Sequence, residues 1–299
     1  MKKFICFSLF ILLFSFSTYS EAHLQDITYL NKVNLCLNTT TNSSINDICK
    51  RYKLNAEEYE RIFNKKYFDN LSVPNFLLIT NPKSGTHLIQ KVIALLLGKP
   101  PLHGTQIRVN LDSWTNQLLN PQAFPFTHVG KKYLDNYEFC LKNNFKIIFI
   151  QRDIRDQLIS SIRSLIRKDN VHIPFTEKIK DRIAKKAFYV NQPLMDEIRR
   201  IKLQGLVIKF EDLIGPKGTG NLELQRSSII RIAEYLNISL NEQQINYICE
   251  NLWGNTMSFR KGIIGDWKNY FTEEIKKIFI ERGGGDVLIE LGYETDYNW

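Results

Sequence analysis

The residues best suited to chemistry lie in three short stretches far apart in the chain, and each is of a kind that holds an anion. The first is Asn81-Pro82-Lys83-Ser84-Gly85-Thr86, between the apolar run Phe76 to Ile79 and apolar positions that recur at helical spacing up to Leu97. A loop at a helix start gathers unpaired N–H groups and the positive end of the helix dipole. Lys83 adds an ammonium, and Gly85 lets the backbone come close to a phosphate or sulfate group. The lysine precedes the glycine, whereas the nucleoside-triphosphate loop reads G-x-x-x-x-G-K-[ST], so an ordinary ATPase or kinase loop is disfavoured. A plainer reading has Ser84 and Thr86 merely capping the helix. The second stretch is Gln151 to Ser161, in which Arg152 directly follows the apolar run Ile147 to Ile150 and Ser160 lies eight residues on. There a guanidinium can grip a phosphate through two N–H groups and a serine can add a hydroxyl; the alternative is that Arg152 pairs with Asp153 or Asp156. The third stretch runs from Phe259 to Thr272. Arg260, Lys261 and the Gly262 backbone make a second clamp, while Gly265, Asp266 and Trp267 serve to fix the loop.

The elements that must position these residues alternate. Strands are predicted at Phe76 to Ile79, Lys146 to Ile150 and Leu206 to Phe210. Helices are predicted after His87, from Asp153 to about Arg167, within Thr176 to Ile201, from Leu222 to Leu236 and around Gln243 to Asn251. Such alternation implies an α/β fold, a three-layer arrangement of a parallel sheet flanked by helices, with ligands bound beyond the carboxyl ends of the strands. From His23 to Asn75 the chain reads as a helical preface with no chemistry, amphipathic over Leu54 to Phe68 and a loop over Asn38 to Asn46. The stretch after Gly98-Lys-Pro-Pro101, up to Phe126, suits an acceptor-binding insert. Its His103, Trp114, Phe124 and Phe126 fit a pocket lining or core packing equally well.

Pro-Lys-Ser-Gly-Thr after a strand resembles the 5′-phosphosulfate loop of the sulfotransferases that use 3′-phosphoadenosine 5′-phosphosulfate (PAPS). The spacing from Arg152 to Ser160 resembles their 3′-phosphate site, and Phe259 to Thr272 resembles their R-K-G-x-x-G-D-W-K-x-x-F-T segment at every fixed position. On these residues the chain is identified as a member of the PAPS-dependent sulfotransferase superfamily, with its P-loop-like fold. The resemblance implies that Lys83 is the cation and proton donor at the bridging oxygen and that Ser84, Gly85, Thr86 and His87 surround the phosphosulfate. It implies that Arg152, Ser160, Arg260, Lys261 and Gly262 hold the 3′-phosphate, that no metal is needed, and that the acceptor carries a hydroxyl or amine. His87-Leu88 stands where many cytosolic members have Thr-Trp, so an indole that would stack on adenine is missing, and Phe210 stands where they often have tyrosine. Phe126-Thr-His128 resembles the Lys-Thr-His context of the family's base. His128 is therefore the first choice, with His103 or an acidic residue as alternatives, and the lysine of that context is Phe126 here. A family member that binds the nucleotide without turnover is the competing reading. The family's dimer segment, K-x-x-x-T-V-x-x-x-E, aligns with Lys268, Thr272, Glu273 and Lys277, and the two departures imply a monomer.

The chain has 299 residues and a formal charge of +9, but the basic residues are scattered and no nucleic-acid-reading motif accompanies them. Lys2 and Lys3, the apolar stretch Phe4 to Phe16 and Ser17 to Ala22 have the three regions of a secretory signal peptide. The expected organisation is a signal peptide or N-terminal anchor over 1–22, a helical extension over 23–75 and a sulfotransferase domain over 76–299. This implies export or a secretory lumen and no membrane span after cleavage; membrane-anchored or cytoplasmic placement are the alternatives. The mature chain keeps Cys36, Cys49, Cys140 and Cys249, of which Cys36 and Cys49 are the expected disulfide.

Overall fold

A strand buried on both faces needs an unbroken apolar run, and Phe76–Thr80 (β1) is buried at every residue. A computed structural model describes residues 42–101, 123–128, 140, 142–166, 174–185 and 192–299. In it β1 sits inside a four-stranded sheet with β2 (Phe126–His128), β3 (Lys146–Gln151) and β4 (Leu206–Lys209), in the order β2-β1-β3-β4. All three pairings are parallel. The register sets Thr80 beside His128 on one side and beside Ile150 on the other, so β1, β2 and β3 end together.

Helices flank the sheet, as the alternation implied. Three short ones come first: α1 (Asn42–Tyr52), α2 (Ala56–Ile62) and α3 (Lys65–Asp69). Then come α4 (Thr86–Leu97), α5 (Ile154–Ile166), α6 (Phe175–Ala184), α7 (Gln192–Gln204) and α8 (Phe210–Leu213). The last are α9 (Leu222–Tyr235), α10 (Glu242–Leu252), α11 (Glu273–Glu281) and α12 (Gly284–Leu291). Helix α4 is buried along almost its whole length and packs with α9 and α10, whereas α7 packs on β3 and β4. One continuous apolar core runs from Ile45 to Leu291.

Several boundaries differ from those expected. The segment expected as a loop over Asn38 to Asn46 is helical from Asn42 on, because Ile45, Ile48, Cys49 and Tyr52 share one buried face. The amphipathic stretch Leu54 to Phe68 is two helices. Asn64 breaks it, its side chain accepting from Tyr67 N as a new N-cap. The helix expected within Thr176 to Ile201 is described as α6 and α7, with 186–191 between them outside the described residues. The last strand stops at Lys209, and Phe210 opens a helical turn. Strand β2 was not foreseen at all.

The expected signal segment, Cys36, His103 and Trp114 also lie outside the described residues. Cys49, Cys140 and Cys249 are buried thiols, and burial pushes Cys49 and Cys249 up to about 11. Among the described residues no helix is long and apolar enough to cross a membrane.

Candidate functional site

At the carboxyl end of β1 the backbone turns sharply. Ser84 N and Ser84 Oγ both donate to Asn81 O, at 3.1 and 2.7 Å. Lys83 takes a left-handed φ of 67° and Gly85 one of 106°. Glycine is required at the second position, because a Cβ there would lie 2.6 Å from the Phe210 ring and 3.1 Å from Ile150. No side chain caps the helix that follows. Ser84 spends its hydroxyl on Asn81 and Thr86 donates to Thr80 Oγ1 at 3.0 Å, which disposes of the plain capping reading. The N-terminus of α4 thus presents N–H groups and a positive dipole end, beside a lysine whose Nζ donates to Ser164 Oγ on α5 at 2.9 Å.

Arg152 emerges where β3 ends. Its Nη1 donates to Lys83 O at 3.3 Å and its Nη2 to Ile263 O at 3.2 Å, so one guanidinium ties the first loop to the third. The guanidinium carbon lies 4.0 Å from the Phe210 ring centroid. Of the two carboxylates considered as partners, Asp156 pairs with it at 3.7 Å, while Asp153 is held instead by Arg155 at 2.7 Å. Asp156 also accepts from Gly265 N at 2.8 Å and Trp267 N at 2.9 Å. Burial pushes its carboxyl above the usual range, although Arg152 and the two N–H groups pull the other way.

In the third loop Asp266 is the anchor. It is almost fully buried and accepts from Arg260 Nη2 at 2.6 Å and Lys261 Nζ at 2.7 Å. Burial works to raise its pKa, but the two cations outweigh burial and hold the carboxyl below the ordinary value. Asp266 therefore fixes the loop, as the sequence suggested, by gathering the two side chains expected to clamp phosphate.

These parts converge on one cleft of about 490 Å³ at the carboxyl ends of the strands. Lys83, Gly85, Thr86, His87, His128, Arg152, Ser160, Phe210, Arg260, Lys261 and Gly262 all line it. Ser84 does not, because its side chain is buried in the turn. No carboxylate is among the described residues that line the cleft, and His103 is outside the described residues. Phe126 lines the cleft, whereas Phe124 is fully buried in the core. Burial, with Lys83 adding to it, holds the His128 imidazole below its usual pKa despite the opposing contact with the Thr80 carbonyl. Burial does the same for His87, partly offset by its 3.1 Å contact with Gln90. Both rings are thus neutral near neutral pH, and a neutral imidazole can take a proton.

Sequence reasoning missed Arg51, which reaches the cleft wall from α1, and also Gln90 and the segment Thr256 to Ser258. Nothing local marks Arg51. Tyr52 beside it packs under Lys91, whose Nζ lies 5.5 Å from the ring and donates to Gly254 O at 3.3 Å, and this contact seats α1 against the cleft.

The sequence matches the sulfotransferase domain family over residues 73–282. The chain belongs to that enzyme family. Among curated relatives it is 26% identical over 260 residues to a 3-beta-hydroxysteroid sulfotransferase of Cavia porcellus, covering 70% of this chain and 83% of that one. It is 25% identical over 206 residues to a flavonol sulfotransferase-like protein of Flaveria bidentis, covering 56% of this chain and only 63% of that protein's length. In structure it is similar to the mouse sulfotransferase SULT7A1 complexed with PAP, with a TM-score of 0.55 at 20% identity over 72% of this chain and 84% of that one. A retinol dehydratase in complex with androsterone and inactive cofactor PAP gives a TM-score of 0.50 at 16% identity over 83% of this chain and 95% of that one. At these identities the structural likeness speaks to the fold, a central parallel sheet flanked by helices.

Proposed function

We propose that this sulfotransferase moves a sulfuryl group from PAPS to a hydroxyl or amine acceptor, with Lys83 and His128 as its catalytic side chains. The observation that carries the reading is the single cleft in which Lys83, Arg152, Arg260 and Lys261 meet from three separate loops. Two anionic groups on one ligand need two cationic clamps, and the loop at α4 and the Arg152–Arg260 side supply them. The acceptor oxygen or nitrogen attacks sulfur, a new bond to sulfur forms, and the bond from sulfur to the bridging oxygen breaks. His128 takes the acceptor's proton. The bridging oxygen leaves as part of the 5′-phosphate of 3′-phosphoadenosine 5′-phosphate (PAP), its developing charge met by Lys83 and the α4 N–H groups. The reading assigns charge stabilisation to these donors.

Calorimetric titration with PAP and with adenosine 5′-phosphate tests the donor site. PAP should bind far more tightly, and equal affinities would remove the 3′-phosphate assignment. Turnover is then read with radiolabelled PAPS against a panel of phenols, sterols, sugars and amines. Tight PAP binding with no product on any acceptor, and no release of sulfate, would favour the nucleotide binder without turnover.

The proposal includes a monomer. Thr272 caps α11, its side chain accepting from Ile275 N, and Glu273 lies in the first turn, where the helix dipole favours its charge. At a two-fold contact Glu273 and Lys277 would each recur against a symmetry mate. Light scattering at micromolar concentration should give the mass of one chain, and a dimer would refute this part. The export expected from the N-terminal segment is proposed with it, and the N-terminal residue of the secreted product would test that.

A further inference from the structure

We propose that Thr80 selects the tautomer in which His128 can act as a base, a positioning role that rests on His128 being the base of the transfer. The parallel register of β1 and β2 sets the two residues side by side. His128 Nδ1 lies 3.2 Å from the Thr80 carbonyl oxygen and 2.7 Å from Thr80 Oγ1. A carbonyl oxygen can only accept. The nitrogen facing it therefore carries the proton, since a bare Nδ1 would set its lone pair against that of the carbonyl.

The surrounding hydroxyls agree with that assignment. Thr86 Oγ1 donates to Thr80 Oγ1 at 3.0 Å, and Thr80 Oγ1 has Thr127 O as its own acceptor at 3.4 Å. Each proton then has a place: Thr86 O–H on Thr80 Oγ1, Thr80 O–H on Thr127 O, and His128 Nδ1–H shared by the two Thr80 oxygens. Thr80 is fully buried, so no water competes for these positions. What remains for the cleft is Nε2 with its lone pair, the atom a proton acceptor needs. An oxygen that accepts from Nδ1–H also raises the basicity of Nε2, the effect of a second partner on an imidazole. The charges that bear on the ring are Lys83 from the loop and, across the cleft, His87 from α4. Thr86, which begins the chain of hydroxyls, opens the helix proposed to hold the phosphosulfate. The base and the donor loop are therefore aligned by one buried network rather than separately.

Nitrogen-15 NMR of the histidine-labelled full chain near pH 8 reads the tautomer directly, with the His128 signals assigned by their loss in His128→Gln. The expected spectrum has a protonated Nδ1 and a bare Nε2. Thr80→Val keeps the shape and removes one acceptor. With the Thr80 carbonyl still facing Nδ1, it should leave Nδ1 protonated but shift its signal, lower kcat by about tenfold with little change in the KM for PAPS, and move the acid limb of the pH–rate profile to lower pH. Thr80→Ser should restore all three. A protonated Nε2 in the unaltered chain overturns the proposal, as does a Thr80→Val variant whose spectrum and acid limb are unmoved. The spectrum needs neither acceptor nor turnover. A chain with the expected tautomer that transfers no sulfuryl group would therefore count against the proposed reaction and leave the tautomer assignment standing.

Discussion

Charge at the scale of single residues is distributed unevenly here, with cations on the cleft surface and carboxylates behind it. The proposed reaction sets Lys83 at the bond that breaks, so its charge is needed most where negative charge develops on the bridging oxygen. Lys83→Ala should abolish turnover with a smaller loss in PAP affinity, and a variant that keeps most of its kcat would take Lys83 out of the mechanism. Behind the cleft, Glu211 accepts from Asp153 N at 3.0 Å and from the Tyr293 hydroxyl at 3.0 Å. Burial pushes its carboxyl from 4.5 up to about 7, against the opposing pull of the Asp153 N–H and of Arg152. Between those values the folded chain holds a proton that the unfolded chain has released. The stability this contributes is fully present below pH 4.5 and is lost as pH rises through about 7. Glu211→Gln keeps an acceptor for Asp153 N and cannot ionise. Its melting temperature should stay flatter than that of the parent between pH 5 and 8, and parallel curves would show that Glu211 is not the group responsible.

At the scale of elements, the cleft depends on one buried carboxylate that joins α5 to the loop after Phe259. Asp156 uses one oxygen for Trp267 N and the other for Gly265 N and Arg152. Asparagine can supply only one of these oxygens, so Asp156→Asn leaves an N–H opposed by an amide. The variant should lose about 1–3 kcal/mol of stability and bind PAP more weakly, because Arg260 and Lys261 ride on the loop it releases. Unfolding curves and PAP titration check both, and unchanged PAP affinity would show that the loop stands without Asp156. This contact also marks the limit of what the sequence could reveal. Lys83, Gly85 and Arg152 were legible because each sits where a strand passes through a turn into a helix, and Arg260 and Lys261 because the segment from Phe259 to Thr272 resembles a family motif. Asp156 was seen only as a neighbour of Arg152, since its other partners lie more than a hundred residues away. The Thr80–His128 contact arises from strand register, and β2 is three residues long, too short for periodicity to show. The helical spacing of Ile45, Ile48, Cys49 and Tyr52 was present, but the Asn-rich run before it masked the helix start.

At the scale of the whole molecule, the family match begins at residue 73, yet the core does not. Tyr59 on α2 is fully buried, stacks on Phe63 with ring centroids 5.0 Å apart and meets Tyr247 of α10 at 6.0 Å. Its hydroxyl donates to Leu95 O at 2.8 Å, and Tyr67 on α3 repeats the contact at Leu96 O with 2.9 Å. Both carbonyls belong to the last turn of α4, the helix whose first turn carries the proposed donor loop. The preface thus grips one end of α4 while Arg51 of α1 reaches the cleft at the other. Such a layer should melt with the sheet and not before it. Tyr59→Ala removes a buried aromatic worth about 3–5 kcal/mol, enough to lower the single melting transition by roughly 10 °C. PAP should raise that same transition in parent and variant alike, since a ligand bound to the folded state at 100 times its Kd adds about 2.7 kcal/mol. Calorimetry distinguishes the alternatives. If Tyr59→Ala instead gave an early, separate transition, with a later one unchanged and still moved by PAP, the preface would be an attachment to a domain that stands without it.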